Sequence, residues 1–314
     1  MPTITLDKKD VLKLIGKNIP DQQLKDKIPM LGTDLEEISS ADIKVEVFPN
    51  RPDMLTEEGF ARALSSFLGI KTGLRNYRVN SSSYHFTIDP KVKKVRPAVA
   101  AAVIKDIKMD NATIKSIMDM QDKLTLTHGR NRKKVAIGIH NLDAITFPLV
   151  YTTKPRDFSF IPLETNKPYT LNQILELHPK GKEFGHLLEN FKEFPIWLDK
   201  KGQVLSMPPI INSEETKITS STTNLFIDIT GTDQLAVNQA LNIIVANLSD
   251  RGGKICKVNN FPDMSPRKIN ISLNNVNKIL GLKLTLNETK KLLQKMGMVL
   301  NGSTVLYPSY RADI

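Results

Sequence analysis

A single cysteine, Cys256, stands in the 314 residues. A lone thiol excludes an internal disulfide and cannot by itself build a thiolate metal site. Long apolar runs are missing as well. The longest, AVAAAVI from Ala98, has about seven residues, far short of the roughly 18 that a membrane helix needs. The opening MPTITLDKKD lacks the apolar stretch of a secretory leader, so no leader is predicted, and with one thiol a reducing cytoplasm is the expected home. There is no glycine-rich phosphate loop, no cysteine–histidine zinc spacing, no internal repeat and no Ser-His-Asp arrangement that stands out. The common short motifs of nucleotide, zinc and triad chemistry are therefore silent. Acidic residues are also in short supply: 44 Lys and Arg face 33 Asp and Glu, a net charge of +11.

What is present is the composition of a soluble globular protein, 40% hydrophobic and 25% charged, with length for two or three domains of about 100–200 residues each. The positive charge is uneven. From Lys91 to Lys134 there are 12 Lys and Arg against 4 Asp and no Glu, or +8. Such a segment is either a solvated lysine-rich surface or a face that attracts a polyanion by releasing its counterions. The runs KVKKVR and GRNRKK flank apolar stretches, which favours a folded basic face over a loose tail.

Periodicity divides the chain into three segments. In the first, residues 1–77, LDKKDVLKLIG reads as a helix capped by Asp7 and ended by Gly16. DIKVEV reads as a strand broken at Pro49 and Pro52, and Thr56 as the cap of a helix with Phe60, Leu64, Phe67 and Leu68 on its apolar stripe. RNYRVNSSSYH reads as a linker. In the second segment, residues 86–262, Val135, Ile137 and Ile139 alternate as a half-buried strand. Ile114, Ile117 and Leu124 form a helical stripe that also carries Gln121, and residues 233–250 make a further helix. In the third, residues 266–314, a strand and a short helix precede a capping box at Thr285 and Glu288 and a hairpin about Asn301-Gly302. The predicted class is α+β and multidomain: a small N-terminal α/β domain, a mixed α+β domain with a central sheet, and a small winged-helix-like domain at the C-terminus. The chain stops at YRADI and reads as an N-terminal fragment.

The chemistry concentrates in VLSMPPIINSEETKIT and the NLFIDITGTD that follows it. Asp228 and Thr230 are two apart and so share one face of a strand. Ser206 precedes a double proline, which cannot donate to a sheet ladder, so the chain there leaves the sheet as a rim that turns Asn212 back toward the same face. The residues alone leave two readings open: a polar strand end in solvent, or a pocket that holds something polar. Gln121 is either a side chain at the edge of its stripe or a buried amide in need of a partner. Arg132 is by default a surface charge. His140 shares parity with Ala136 and Gly138, opposite the bulky face, and reads as structural or exposed.

Four stretches occur in an order that covers almost the whole chain: FPNRPDMLTEEGFARAL, QDKLTLTHGRNRKKVAIGIHNLD, VLSMPPIINSEETKIT with NLFIDITGTD, and PSYRADI. Together they resemble the beta subunit of phenylalanyl-tRNA synthetase of the archaeal and eukaryotic type. The resemblance implies that the middle segment is an editing domain that hydrolyses tyrosine mis-esterified to the phenylalanine tRNA. It implies Gln121, Arg132 and Asn212 at the reacting ester, and Ser206, Asp228 and Thr230 around the amino-acid side chain. With the charge balance, it implies Arg130, Lys133 and Lys134 as contacts to the tRNA. It implies an alpha-subunit partner that carries the aminoacylation site, in a heterotetramer of two alpha and two beta chains. ATP is then used by the holoenzyme. Magnesium is held in the full-length subunit by Asp313 with later acidic residues that this sequence lacks, an incomplete site here. Many relatives have a histidine where this chain has Thr125, which leaves water held by backbone groups, Asn212 and the tRNA as the expected means of hydrolysis. The alternatives are a tRNA- or subunit-docking fragment with an inactive pocket, or a general nucleic-acid-binding protein. Asp228 and Thr230 separate them, since binding a polyanion needs no acceptor for a phenol.

Overall fold

Asp7 accepts the Asp10 N–H at 2.8 Å to open the first helix, and Gly16 closes it in the left-handed conformation, the two ends the sequence predicts. The computed structural model in which this is seen describes residues 3–314. Two units emerge, Met1–Tyr77 with Asp263–Ile314, and Arg78–Pro262.

The first unit begins with β1 (Thr3–Asp7), α1 (Lys8–Ile15), α2 (Asp21–Lys27), β2 (Thr33–Ile38) and β3 (Asp42–Val47). The strands form an antiparallel sheet in the order β1-β3-β2. Prolines 49 and 52 stop β3, and the Thr56 hydroxyl caps α3 (Glu57–Phe67) by accepting from Gly59 N.

The second unit contains β4 (Val79–Asn80), β5 (Phe86–Ile88), β6 (Ala98–Lys105), α4 (Asn111–Leu126), β7 (Val135–Asn141), β8 (Leu149–Pro155), β9 (Ser159–Phe160) and β10 (Tyr169–Thr170). It continues through α5 (Leu171–Leu177), α6 (Pro179–Phe184), β11 (Glu193–Leu198), β12 (Val204–Met207), β13 (Ile211–Asn212), β14 (Leu225–Gly231), α7 (Gln234–Asp250) and β15 (Lys254–Lys257). The chain then returns to the first unit as β16 (Arg267–Asn270), α8 (Leu273–Leu280), α9 (Leu286–Lys295), β17 (Val299–Asn301) and β18 (Thr304–Tyr307). The predicted capping box at Thr285 and Glu288 opens α9, and β17 and β18 form the hairpin about Gly302.

In the second unit the strands divide between two five-stranded sheets, ordered β4-β15-β6-β14-β7 and β13-β12-β11-β8-β5. Phe226, Val99, Ala101 and Val103 from the first pack against Tyr151, Trp197 and Leu205 from the second. Each large side chain buried there stabilises the fold by about 1.5–3 kcal/mol. Trp197 stacks on Tyr151 at 4.9 Å and meets Phe226 edge-on at 5.9 Å. Helix α7 lies across β6 and β14, so β14 is covered on both faces and every one of its residues is buried. Strand β7 is buried on both faces too, with Ile137 and Asn141 only partly so, and is not the half-buried strand its alternation predicts. The predicted linker also differs in one respect: Val79 and Asn80 add a short parallel strand beside Ile255 and Cys256.

Candidate functional site

Phe226, Asp228 and Thr230 alternate along β14 and point into the layer between the two sheets. Pairing supplies Asp228 with small neighbours, Ala101 on β6 and Gly138 on β7. The layer is therefore apolar at Phe226 and opens at Asp228 and Thr230 into a cavity of about 310 Å³. Ile114, Met118, Ile137, Ile139, Leu163 and the turn from Pro208 to Ile211 supply its apolar wall. Gln121, Arg132, Ser206, Asn212, Asp228 and Thr230 all line it. Six residues picked from across some 110 positions of sequence thus share one chamber.

Their surroundings differ. Asp228 is 1% exposed and its Oδ2 accepts from His140 Nε2 at 2.8 Å. Thr230 Oγ1 accepts from Arg96 Nε at 2.9 Å. Ser206 is 2% exposed, and its Oγ has no hydrogen-bond partner among the described residues. A buried hydroxyl without a partner costs about 1–3 kcal/mol, so this one awaits a ligand atom or a water. Gln121 Nε2 donates to the Ile137 carbonyl at 3.3 Å, tying α4 to β7. The buried stripe of α4 runs through Thr113, Ile117, Met120 and Leu124, so Ile114 and Gln121 lie beside it, at the cavity. Thr125 Oγ1 donates to the Gln121 carbonyl at 2.7 Å.

The double proline works differently from the rim its sequence predicts. Pro208 and Pro209 form the turn of a hairpin, and β13 pairs back onto β12 with Asn212 opposite Ser206. Asn212 does reach the cavity, but from an edge strand of the sheet, since the prolines occupy only the turn, where no ladder bond is required. Arg132 is not a surface charge. It is half-buried over the Phe184 ring at 4.2 Å, and its Nη1 donates to the carbonyls of Pro209 and Ile210 at 3.2 and 2.8 Å. Burial lowers its pKa from the usual guanidinium value.

Arg130, Asn131 and Arg132 are consecutive left-handed residues, with φ of 48°, 51° and 63°. Each costs about 1–2 kcal/mol against the helical alternative. Two features hold them. Their amides donate back to the end of α4, Arg132 N to Thr125 O and Asn131 N to Leu126 O. Beneath them lies Arg96, whose Nη2 donates to the carbonyls of Arg132 and Thr230 at 3.0 and 2.8 Å and whose Nη1 donates to that of Lys133 at 3.3 Å. Arg96 is 3% exposed, and desolvation brings its pKa down to about 10, so it stays charged at neutral pH. Its own carbonyl accepts from the buried Tyr151 hydroxyl at 3.1 Å, and burial raises the Tyr151 pKa in turn.

The basic segment is consequently not one uniform face. Arg96 is interior and Arg132 half so, Lys134 pairs with Asp233 at 2.8 Å, and Arg130 and Lys133 are exposed. Asp313 belongs to the other unit. Both its carboxylate oxygens accept from Arg311, at 2.7 Å each. A carboxylate already gripped at both oxygens by a guanidinium does not fit a magnesium site, which takes several free oxygen ligands; among the described residues no cluster of three or more His, Cys, Asp or Glu suits a metal.

Three residues at the site, Gly138, Arg96 and Thr216, carried no expectation of a role there, and a fourth, His140, was expected to be structural or exposed. His140 is fully buried, with Nδ1 at 2.9 Å from Thr216 Oγ1. Gly138 leaves the space that the His140–Asp228 pair fills: a Cβ there would lie 2.2 Å from Asp228 Oδ2. Arg96 and Thr216 are the others. Strand parity of Gly138, His140 and Asp228 was a usable signal for the first pair; nothing local marks Arg96 or Thr216.

Residues 81–250 match the B3/4 domain family and residues 269–314 the tRNA synthetase B5 domain family. The chain is 41% identical over 329 residues to the phenylalanine–tRNA ligase beta subunit of Methanococcoides burtonii, and 40% over 326 residues to that of Archaeoglobus fulgidus. All of this chain is covered, and 60% and 59% of those proteins, so the chain spans about 60% of the length of the curated relatives it matches. The crystal structure of an N-terminal fragment of the phenylalanyl-tRNA synthetase beta subunit from Pyrococcus horikoshii superposes with a TM-score of 0.94 at 35% identity, over 100% of this chain and 95% of that one.

Proposed function

This chain belongs to the phenylalanine–tRNA ligase beta subunit family, and from that premise we propose that its cavity hydrolyses tyrosine mis-esterified to the phenylalanine tRNA. The observation that carries the proposal is the company of Asp228: a buried carboxylate, an unpartnered Ser206 hydroxyl and Thr230 share a cavity with the apolar side chains of Ile114, Met118, Ile137 and Ile139. Ring-sized apolar walls accept phenylalanine and tyrosine alike. A pocket of that kind separates two such rings by only about a hundredfold, whereas groups built to hydrogen-bond a hydroxyl, and left unpaired without it, separate them by about 10⁴–10⁵. Asp228 accepts the phenol proton, Ser206 and Thr230 flank the phenol oxygen, and the phenylalanyl ester forfeits these bonds.

The ester lies toward Gln121 and Asn212, whose amides hold it and the attacking water. Arg132 braces the Pro208–Ile210 turn that carries Asn212. Thr125 is not a base; His140 is spent on Asp228 and Thr216, and His178, which lines the cavity, accepts from the Lys180 amide at Nδ1 as the cap of α6. Orientation of water by amides and by the terminal ribose hydroxyl of the tRNA supplies the hydrolysis. Arg130 and Lys133 meet the tRNA backbone, with Lys134 contributing less while it pairs with Asp233. The alpha-subunit partner, the heterotetramer and the cytoplasmic setting follow from family membership in the same proposal. Incubating the chain with tyrosyl- and phenylalanyl-esters of the phenylalanine tRNA tests it: the tyrosyl ester should be released at least 100-fold faster, and equal rates reject the reading.

A further inference from the structure

Behind Asp228 lies a chain of side chains that the proposed reaction does not itself require. Gly138, His140 and Phe226 together put an imidazole beside the carboxylate. His140 pairs with Phe226 across β7 and β14, and Gly138 with Asp228. The ring lies against Phe226, at 6.2 Å between centres and 29° between planes, and reaches along β7 over the bare Gly138 to Asp228 Oδ2. Its second nitrogen meets Thr216 Oγ1 at 2.9 Å, and that hydroxyl is 3.4 Å from the Leu205 carbonyl. All three polar side chains are at most 1% exposed.

We propose that Thr216 and His140 are positioning residues that fix Asp228 as a single-sided acceptor, and so set the preference for a phenol over a bare ring; this rests on the editing reading above. A carboxylate in a chamber can rotate and offer either oxygen. Here Nε2–H consumes Oδ2, and Oδ1, which makes no hydrogen bond among the described residues, is left for the ligand. With Nε2 protonated, Nδ1 accepts from the Thr216 hydroxyl. If the ring gains a second proton, Nδ1 donates to Thr216, whose own proton turns to Leu205. Either way Nε2 remains a donor to Asp228, and the carboxylate keeps its orientation. Without the imidazole, Asp228 would be a buried carboxylate lacking its charge-assisted bond, and its acceptor direction would no longer be fixed.

The test uses four variants of the chain: H140L, which removes the polar ring; H140Q, whose amide can still donate to Asp228; T216V, which removes only the hydroxyl; and D228A. Thermal unfolding first establishes that each is folded. Two readouts follow, binding of L-tyrosinamide against L-phenylalaninamide, and deacylation of the two aminoacyl-tRNAs. H140L should lower the tyrosine-to-phenylalanine ratio by at least about tenfold through the tyrosine arm alone, H140Q should keep it within about threefold of the parent, and T216V should fall between. A purely structural role would lower both arms together. If D228A abolishes the preference while H140L keeps it, the positioning role is overturned and the editing reading stands. If the parent shows no preference in either readout, both fall. Should H140L not fold, T216V decides, and a parental ratio in T216V overturns the proposal.

Discussion

Replacing Gly138 with alanine isolates one steric fact. The new methyl group would lie 2.2 Å from Asp228 Oδ2 and 2.7 Å from His140 Nε2, where ordinary contacts are near 3.4 Å or more. Neither partner can yield cheaply, because both are buried and bonded to each other. The carboxylate must rotate, which breaks a charge-assisted hydrogen bond worth about 1.5–3 kcal/mol. Alanine also restricts the unfolded chain, which returns about 0.4–1 kcal/mol. The steric cost wins, and the net loss is about 1–2 kcal/mol. At roughly 2–4 °C per kcal/mol for a domain of this size, the melting temperature of the second unit should fall by about 2–8 °C. Circular dichroism melts check the stability, and aminoacyl-tRNA deacylation checks whether tyrosine selectivity falls with it. An unchanged or raised melting temperature with parental selectivity would refute the packing described around Asp228.

Three further outcomes follow. Arg96→Lys replaces a fork that holds Thr230, Arg132 and Lys133 with a point donor, so at least two buried bonds are lost; stability should drop by about 3 kcal/mol in urea unfolding, and a loss below about 0.5 kcal/mol would contradict the clamp. Asp233 has its pKa lowered from 3.8, first by the Lys134 hydrogen bond and then by the Ala236 amide it caps. Its contribution is present above that value and is lost as pH falls through the lower folded-state pKa, so Asp233→Asn should flatten the stability loss below about pH 4 while leaving the alkaline side alone; a parallel acid limb in the variant would count against it. Neutralising Arg130, Lys133 and Lys134 together should reduce the slope of log K against log salt for tRNA by about two contacts, because Lys134 already has a carboxylate; an unaltered slope removes this loop from the interface.

Much of the fold was legible because its signals are local. Asp7, Thr56, Thr285 and Glu288 cap the helices they were expected to cap, and Gly16 terminates as a left-handed residue. The alternation of Asp228 with Thr230 correctly placed both on one face. What the sequence hid is what depends on long-range pairing. Nothing near Pro208 says that β13 returns to β12 instead of leaving the sheet. Strand β7 packs against α4 and also against α7, which comes much later in the chain. A basic run looks alike whether its arginines are outside or inside, and Arg96 is inside because carbonyls from residues more than 30 positions away receive it. His140 was expected to be structural or exposed because it shares parity with Ala136 and Gly138, and it proved to be buried against the aspartate singled out on other grounds.

Single-turnover deacylation of tyrosyl- and phenylalanyl-esters of the phenylalanine tRNA, by the chain and by its Asp228→Ala variant, tests the central claim most directly. The parent should release tyrosine at least 100-fold faster than phenylalanine. The variant should lose most of that ratio by slowing on the tyrosyl ester while a residual phenylalanyl rate persists. A variant that matches the parent in both rate and ratio would show that Asp228 is not the phenol acceptor, and the cavity between the sheets would then have some other use.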